Sequence, residues 1–104
     1  MRKIAASRIY LSETKYIPAH IVEIKDSKVI ALRKLSAEEA MTEWLLGAFL
    51  LSNENSVNNN IVNNLAEFYL GKETDLAQDV HVWHAENIDF ETGYIINGEI
   101  TLIK

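Results

Sequence analysis

Residues 44–51 read Trp-Leu-Leu-Gly-Ala-Phe-Leu-Leu, the longest apolar run in a chain of 104 residues. Whether this run coils or extends decides the fold. Just upstream, Ser36-Ala37-Glu38-Glu39 has the form of a capping box, and Ala40, Met41, Trp44, Leu45 and Ala48 recur at helical spacing. Against that, a short apolar run broken by Gly47 suits a strand buried on both faces, which shows no alternation. The periodicity leans towards a helix and leaves a short one near 37–43 as the minimal form of that reading. Eight residues are far fewer than the roughly 18–20 that span a bilayer, so no membrane partner is expected.

The N-terminal side of the run reads as β-structure. Lys3 to Leu11 is rich in β-branched and aromatic residues, and Ser12-Glu13-Thr14 looks like a turn. His20 to Lys25 alternates, with Ile21, Glu23 and Lys25 on one face and His20, Val22 and Ile24 on the other. Asp26-Ser27 then separates it from a second alternating stretch, Lys28 to Leu35, in the manner of a two-residue hairpin. Pro18 precedes the hairpin, where a missing N–H does least harm.

On the C-terminal side, Ser52-Asn53-Glu54-Asn55 supplies N-cap material, and Val57, Ile61, Leu65 and Phe68 form an apolar stripe widened by Val62 and Tyr69. The pattern predicts an amphipathic helix over about 56–70, closed at Gly71. Seven asparagines between Asn53 and Asn64 fit its solvated face better than a low-complexity tract. Strands return at Asp79 to Ala85 and around Asn97-Gly98, a dipeptide suited to a type I′ turn between Tyr94–Ile96 and Glu99–Ile103.

Composition places this as one domain with an ordinary core. The chain is 48% apolar and 24% charged, with no cysteine, which excludes disorder, collagen-like repeats and a disulfide scaffold. The start, MRKIAASRIYL, lacks the sustained apolar stretch of a signal peptide, and a cytoplasmic protein is expected. Residues 1–35 carry eight Lys/Arg against three Asp/Glu, and residues 36–104 carry two against twelve. A basic arm for nucleic acid would be one reading. The basic residues are dispersed along strands, however, and the net charge of −5 would repel a polyanion. Basic and acidic parts that lie side by side and partly neutralise each other are the preferred reading, with no nucleic-acid partner.

No complete catalytic constellation is present. His81 and His84 are three apart, but on a strand His81 points with Trp83 and Ala85 while His84 points with Val80, Val82 and Glu86. Two ligands on opposite faces cannot share an ion, and His20 lies elsewhere, so no metal and no cofactor are expected. No serine lies in a G-x-S-x-G elbow, and four glycines make no phosphate loop. Asp75, Asp79, Asp89 and Glu91 cluster in sequence, but their default is turn and surface duty. Trp44 and Trp83 could form a stacking platform for a ligand, although core packing is the commoner use of such residues.

Two ends of the chain together resemble the amidohydrolases, or metallo-dependent hydrolases. Val22-Glu23-Ile24-Lys25-Asp26-Ser27-Lys28-Val29-Ile30 is similar to their N-terminal hairpin, with Ser27 where glycine is usual. Ile61 to Lys72, then Ala77-Gln78-Asp79-Val80-His81-Val82-Trp83, then Ile96-Asn97-Gly98-Glu99 resemble their final helix and closing strands. The resemblance implies a small composite β-sandwich formed by both ends. It also implies a strand at Thr42 to Leu51, against the helical periodicity, and that assignment is adopted. The family's His-x-His metal strand and its barrel have no counterpart here.

The expected fold is therefore mainly β, a small sandwich or pseudo-barrel in which residues 3–35 pair against 79–103 and one helix caps a side. The expected function is a non-catalytic structural or protein-interaction module, self-associating or binding a protein through an edge strand or a surface at Trp44, Leu45, Phe49, Leu50 and Trp83. The alternatives are a small-ligand domain with an aromatic-lined cleft near Trp83 and Trp44, and an accessory subunit of a metal-dependent hydrolase.

Overall fold

The computed structural model of the chain describes residues 1–35, 41–57 and 61–104, and there the apolar run extends. Glu43–Trp44 (β6) and Ala48–Ser52 (β7) are strands on either side of a corner at 45–47. Residues 48–51 are all fully buried, which the single inward stripe of a surface helix would not achieve. Phe49 and Leu51 enter one apolar cluster, Ala48 and Leu50 another. This is the period-two alternation of a strand covered on both faces.

Two sheets result. One has the order β5 (Lys28–Lys34), β4 (His20–Lys25), β1 (Arg2–Ala5), β6; the other β3 (Tyr16–Pro18), β2 (Arg8–Tyr10), β7, β8 (His81–Ala85), β9 (Thr101–Leu102). Ile4, Val22 and Ile24 of the first meet Ile9, Phe49, Leu51 and Val82 of the second in one core. Beyond the second sheet, Tyr10, Leu50, Trp83 and Ala85 are covered by α1 (Leu65–Tyr69) together with Val62 and Ile95. The molecule is a small mainly-β sandwich with one helix, as expected. Among the described residues neither sheet closes into a barrel, and no helix is long and apolar enough to cross a membrane.

The sheets are joined by two bent arms. β1 and β2 form one, interrupted at Ala6-Ser7; β6 and β7 form the other and run parallel to it. Ala5 faces Trp44 and Arg8 faces Ala48, so the two residues of the first corner lie against three in the second. The extra residue is absorbed around Gly47, whose φ is +84°. A Cβ there would collide with the carbonyl oxygens of Ala85 and Glu86. Glycine is required both by conformation and by the backbone it touches.

Local turn chemistry explains both the agreements with the expected pattern and the departures from it. Asp26 and Ser27, at φ 53° and 66°, turn β4 into β5 as a type I′ hairpin requires. The first and last thirds, by contrast, do not pair through a ladder. β7 stands between β2 and β8, and a single backbone bond, Val29 N–H to Val80 O at 2.8 Å, links β5 to the residue before β8. Asn97 does take positive φ (62°), but within a turn that Gly98 N–H closes on Ile95 O. Its flanks then part: Ile95 bridges Ile88, while β9 pairs with β8. Gly98 is held against the 61–62 segment, where a Cβ would meet Ile61 Cγ2.

The helix expected over 56–70 spans only Leu65–Tyr69, with residues 58–60 outside the described part. Its N-cap is Asn64, whose Oδ1 accepts the Glu67 N–H at 2.8 Å while Glu67 Oε2 accepts the Asn63 N–H at 2.6 Å. These two bonds, in which Glu67 reaches back one residue beyond the N-cap that an ordinary capping box would engage, start the helix where the apolar stripe alone would place its middle. Asn53, expected near the cap, instead staples the 75–79 loop: its Nδ2 donates to the Asp75 and Asp79 carbonyls, and its Oδ1 accepts the Asp75 N–H. Of the short helix near 37–43, residues 36–40 lie outside the described part, while Met41 has φ +62° and Glu43 is in β6.

The basic and acidic parts meet at three ion pairs among the described residues: Arg2–Glu43, Lys15–Glu73 and Lys28–Asp79 each join a base from the first third to an acid from the remainder, while Arg33–Glu23 stays within the first third.

Candidate functional site

The expected interaction surface is not one surface. Phe49 and Leu50 are fully buried, because β7 is an inner strand with apolar layers on both faces. Trp83 retains 7% of its exposure; its Nε1 donates to Glu54 O at 3.1 Å and its ring packs edge-on against Phe68. Leu45 is half-buried against the core between the sheets. Only Trp44, 51% exposed, stays at the surface, on the edge strand β6. Trp44 and Trp83 therefore line no common cleft.

The histidines hold backbone. His81 Nδ1 donates to Ser27 O at 2.7 Å, and His84 Nε2 to Leu46 O at 2.6 Å, beside the Phe49 ring. His20 Nδ1 does the same for Pro18 O. Asp75 and Asp89 accept N–H groups two residues on, at Ala77 and Glu91, and Asp79 pairs with Lys28. Each is turn or surface duty. Glu91 is different, because it lines a cleft.

That cleft, of about 330 Å³, lies between the β2–β3 hairpin, the start of α1 and the 90–93 turn. Strand parity creates it. Arg8 and Tyr10 alternate onto the helix-side face of β2, and Tyr16 on β3 lies directly opposite Tyr10. The Tyr10 and Tyr16 rings stand 5.5 Å apart. The side chain of Arg8 crosses diagonally, placing its guanidinium carbon 4.3 Å from the Tyr16 ring centre. From the other side the Phe90 ring approaches to 4.6 Å. The cation is thus clamped between two aromatic faces, each favourable through the ring quadrupole.

Clamping fixes the guanidinium plane and leaves its edge for hydrogen bonds. Nη1 makes two long contacts, 3.4 Å to Tyr10 Oη and 3.5 Å to Phe90 O. Among the described residues, Nε and Nη2 donate to nothing, and Arg8 has no ion pair. The accepting Tyr10 hydroxyl raises its pKa above the ordinary arginine value, so the group is a permanent cation. Around it stand Glu13 and Thr14 from the hairpin turn, Glu91 and Thr92 from the opposite turn, and Asn64.

Sequence patterns did not single out this site, although a signal for it was present. The turn at Ser12-Glu13-Thr14 was legible, and pairing the strands on either side brings Tyr16 onto the Arg8–Tyr10 face. Phe90 had no such signal, since only the tertiary path of residues 86–93 carries it there. Comparison with protein-family models, with curated proteins and with solved structures finds no match to this chain. The resemblance to the ends of amidohydrolases accordingly rests on the sequence motifs alone.

Proposed function

We propose that the protein is a non-catalytic binding module whose aromatic-walled cleft holds a carboxylate on Arg8. The observation that carries this reading is the guanidinium fixed between Tyr16 and Phe90 with Nε and Nη2 undonated among the described residues. A planar fork held in place loses little entropy on engaging a carboxylate with two parallel bonds. Size agrees, because about 330 Å³ lies at the lower end of small-molecule sites. Glu13, Thr14, Asn64, Glu91 and Thr92 complete the lining around the arginine. On this proposal the aromatic walls are Tyr10, Tyr16 and Phe90, not the two tryptophans expected from the sequence.

Titration followed by NMR tests this. Millimolar acetate, at ionic strength matched with sodium chloride, should shift the Arg8 Nε–Hε resonance and the amides of Thr92 and Gly93. Arg8→Gln should abolish the response. Phe90→Ala, which keeps the charge and loosens the clamp, should weaken it. Equal shifts in the wild type and in a folded Arg8→Gln variant would overturn the proposal, as would no shift in the wild type.

A further inference from the structure

The cleft carries more negative than positive charge, which narrows what enters it. Glu13 and Glu91 line it together with Arg8, and neither forms an ion pair with Arg8. The arrangement repeats on both walls. The β2–β3 hairpin supplies one aromatic face, Tyr16, and one carboxylate, Glu13. The turn at 90–93 supplies the other face, Phe90, and the other carboxylate, Glu91. A simple anion drawn to the guanidinium would meet two like charges at the walls and a net charge of −5 on the whole chain. A simple cation drawn to the carboxylates would meet Arg8.

We infer that the ligand is a small zwitterion of amino-acid type, with its carboxylate on the Arg8 fork and its ammonium group between Glu13 and Glu91. This rests on the carboxylate-binding reading above and adds the second charge. Such a ligand presents each charge to its opposite. Thr14 and Thr92 belong to the same lining, the Thr92 hydroxyl already accepting the Tyr94 N–H. Both carboxylates belong to exposed residues, so each added ion pair is of the solvent-screened kind and contributes a few-fold rather than orders of magnitude. Selectivity between charge types, not tight affinity, is the property this site provides.

The experiment compares acetate with glycine, β-alanine and γ-aminobutyrate, which keep the carboxylate and place an ammonium group at increasing distance from it. The same Arg8 and Gly93 resonances report binding. At least one aminocarboxylate should bind about two- to fivefold more tightly than acetate. The double variant Glu13→Gln/Glu91→Gln, isosteric at exposed positions, should remove that advantage, so that none of the three binds the variant more tightly than acetate does. If acetate binds and none of the three exceeds it, the zwitterion inference fails while carboxylate binding stands. A preference that survives the double variant also overturns it. If acetate and all three leave the spectrum unchanged, both readings fall.

Discussion

The two arms that carry the chain from one sheet to the other do the same job with different residues. The first turns through Ala6-Ser7, with Ser7 exposed and neither residue at positive φ. The second turns through Leu45-Leu46-Gly47, one residue longer, with Gly47 in a left-handed conformation pressed against the backbone of Ala85 and Glu86. Two strands can run parallel around a bend only if the extra length on one of them is absorbed somewhere. Here a glycine absorbs it. The same glycine that made the apolar run look like an uncertain helix is the reason it can be two strands.

Substitution at the corners should separate them most. Gly47→Val places a β-branched side chain at φ +84° and against the Ala85 carbonyl oxygen, combining backbone strain with overpacking for a loss of about 4 kcal/mol or more. That approaches the whole stability of many domains of this size, and urea denaturation should show little folded protein remaining. Ser7→Ala, at the equivalent bend of the first arm, should change stability by no more than about 0.5 kcal/mol. Comparable losses at both corners would remove the distinction between them.

The ladder beyond the corners gives the next largest effect. Ile9 and Phe49 are register partners, both fully buried in the core between the sheets. Phe49→Ala should cost about 3–5 kcal/mol and Ile9→Val about 0.5–1.5 kcal/mol, by deletion of packed volume. Because the two touch the same core, the double variant should depart from additivity. An additive result would mean that each arm packs independently of the other.

A smaller effect belongs to the end of the second arm. Asn53 comes directly after β7 and makes three hydrogen bonds to the backbone at Asp75 and Asp79. Asn53→Ala should lower stability by about 1–3 kcal/mol and raise amide exchange at Asp75 and the next few residues. Unchanged exchange there would show that the loop is held by something other than Asn53.

How much of this was legible depends on the physics of each element. Hairpins are local, so Asp26-Ser27 and the alternation around it could be read directly. The buried strand at 48–51 could not be read by periodicity, since burial on both faces erases the signal that distinguishes a strand from a buried helix. The short α1 was overextended because an apolar stripe does not mark where a helix begins. The Asn64–Glu67 pair does mark it, and Asn-x-x-Glu was there to be read. The Arg8 cleft was half legible, through the hairpin that aligns Tyr10 with Tyr16. Its other wall depends on Phe90, placed by the bonds Asp89 N–H to Tyr94 O and Gly93 N–H to Asp89 O in a turn far away in sequence. Nothing local to Arg8 encodes that arrival.

The two arms are tied where they end, because one hydroxyl touches both. Tyr69 Oη lies 3.0 Å from Tyr10 O, at the close of the first arm, and 2.9 Å from Leu51 O, near the close of the second. Thr74 Oγ1 also donates to Leu51 O, so that carbonyl keeps a partner if Tyr69 is truncated. At neutral pH, Tyr69→Phe should therefore cost only about 1 kcal/mol. Burial first, and then the neighbouring Tyr10, raise the Tyr69 pKa far above the ordinary tyrosine value of about 10. A raised pKa means that the folded state keeps the proton after the unfolded chain has lost it. The stabilisation is complete below about pH 10 and falls by about 1.4 kcal/mol per pH unit above it, until the folded state itself ionises. The phenylalanine variant lacks this slope. Its deficit at pH 7 should shrink above pH 10 and reverse near pH 11, where the wild type has lost about as much as the hydrogen bond contributed. Urea denaturation of both proteins at pH 7 and pH 11 measures the crossing. Parallel stability curves across that range would mean that the hydroxyl reaches water in the folded state, and that the two arms are not tied at that point.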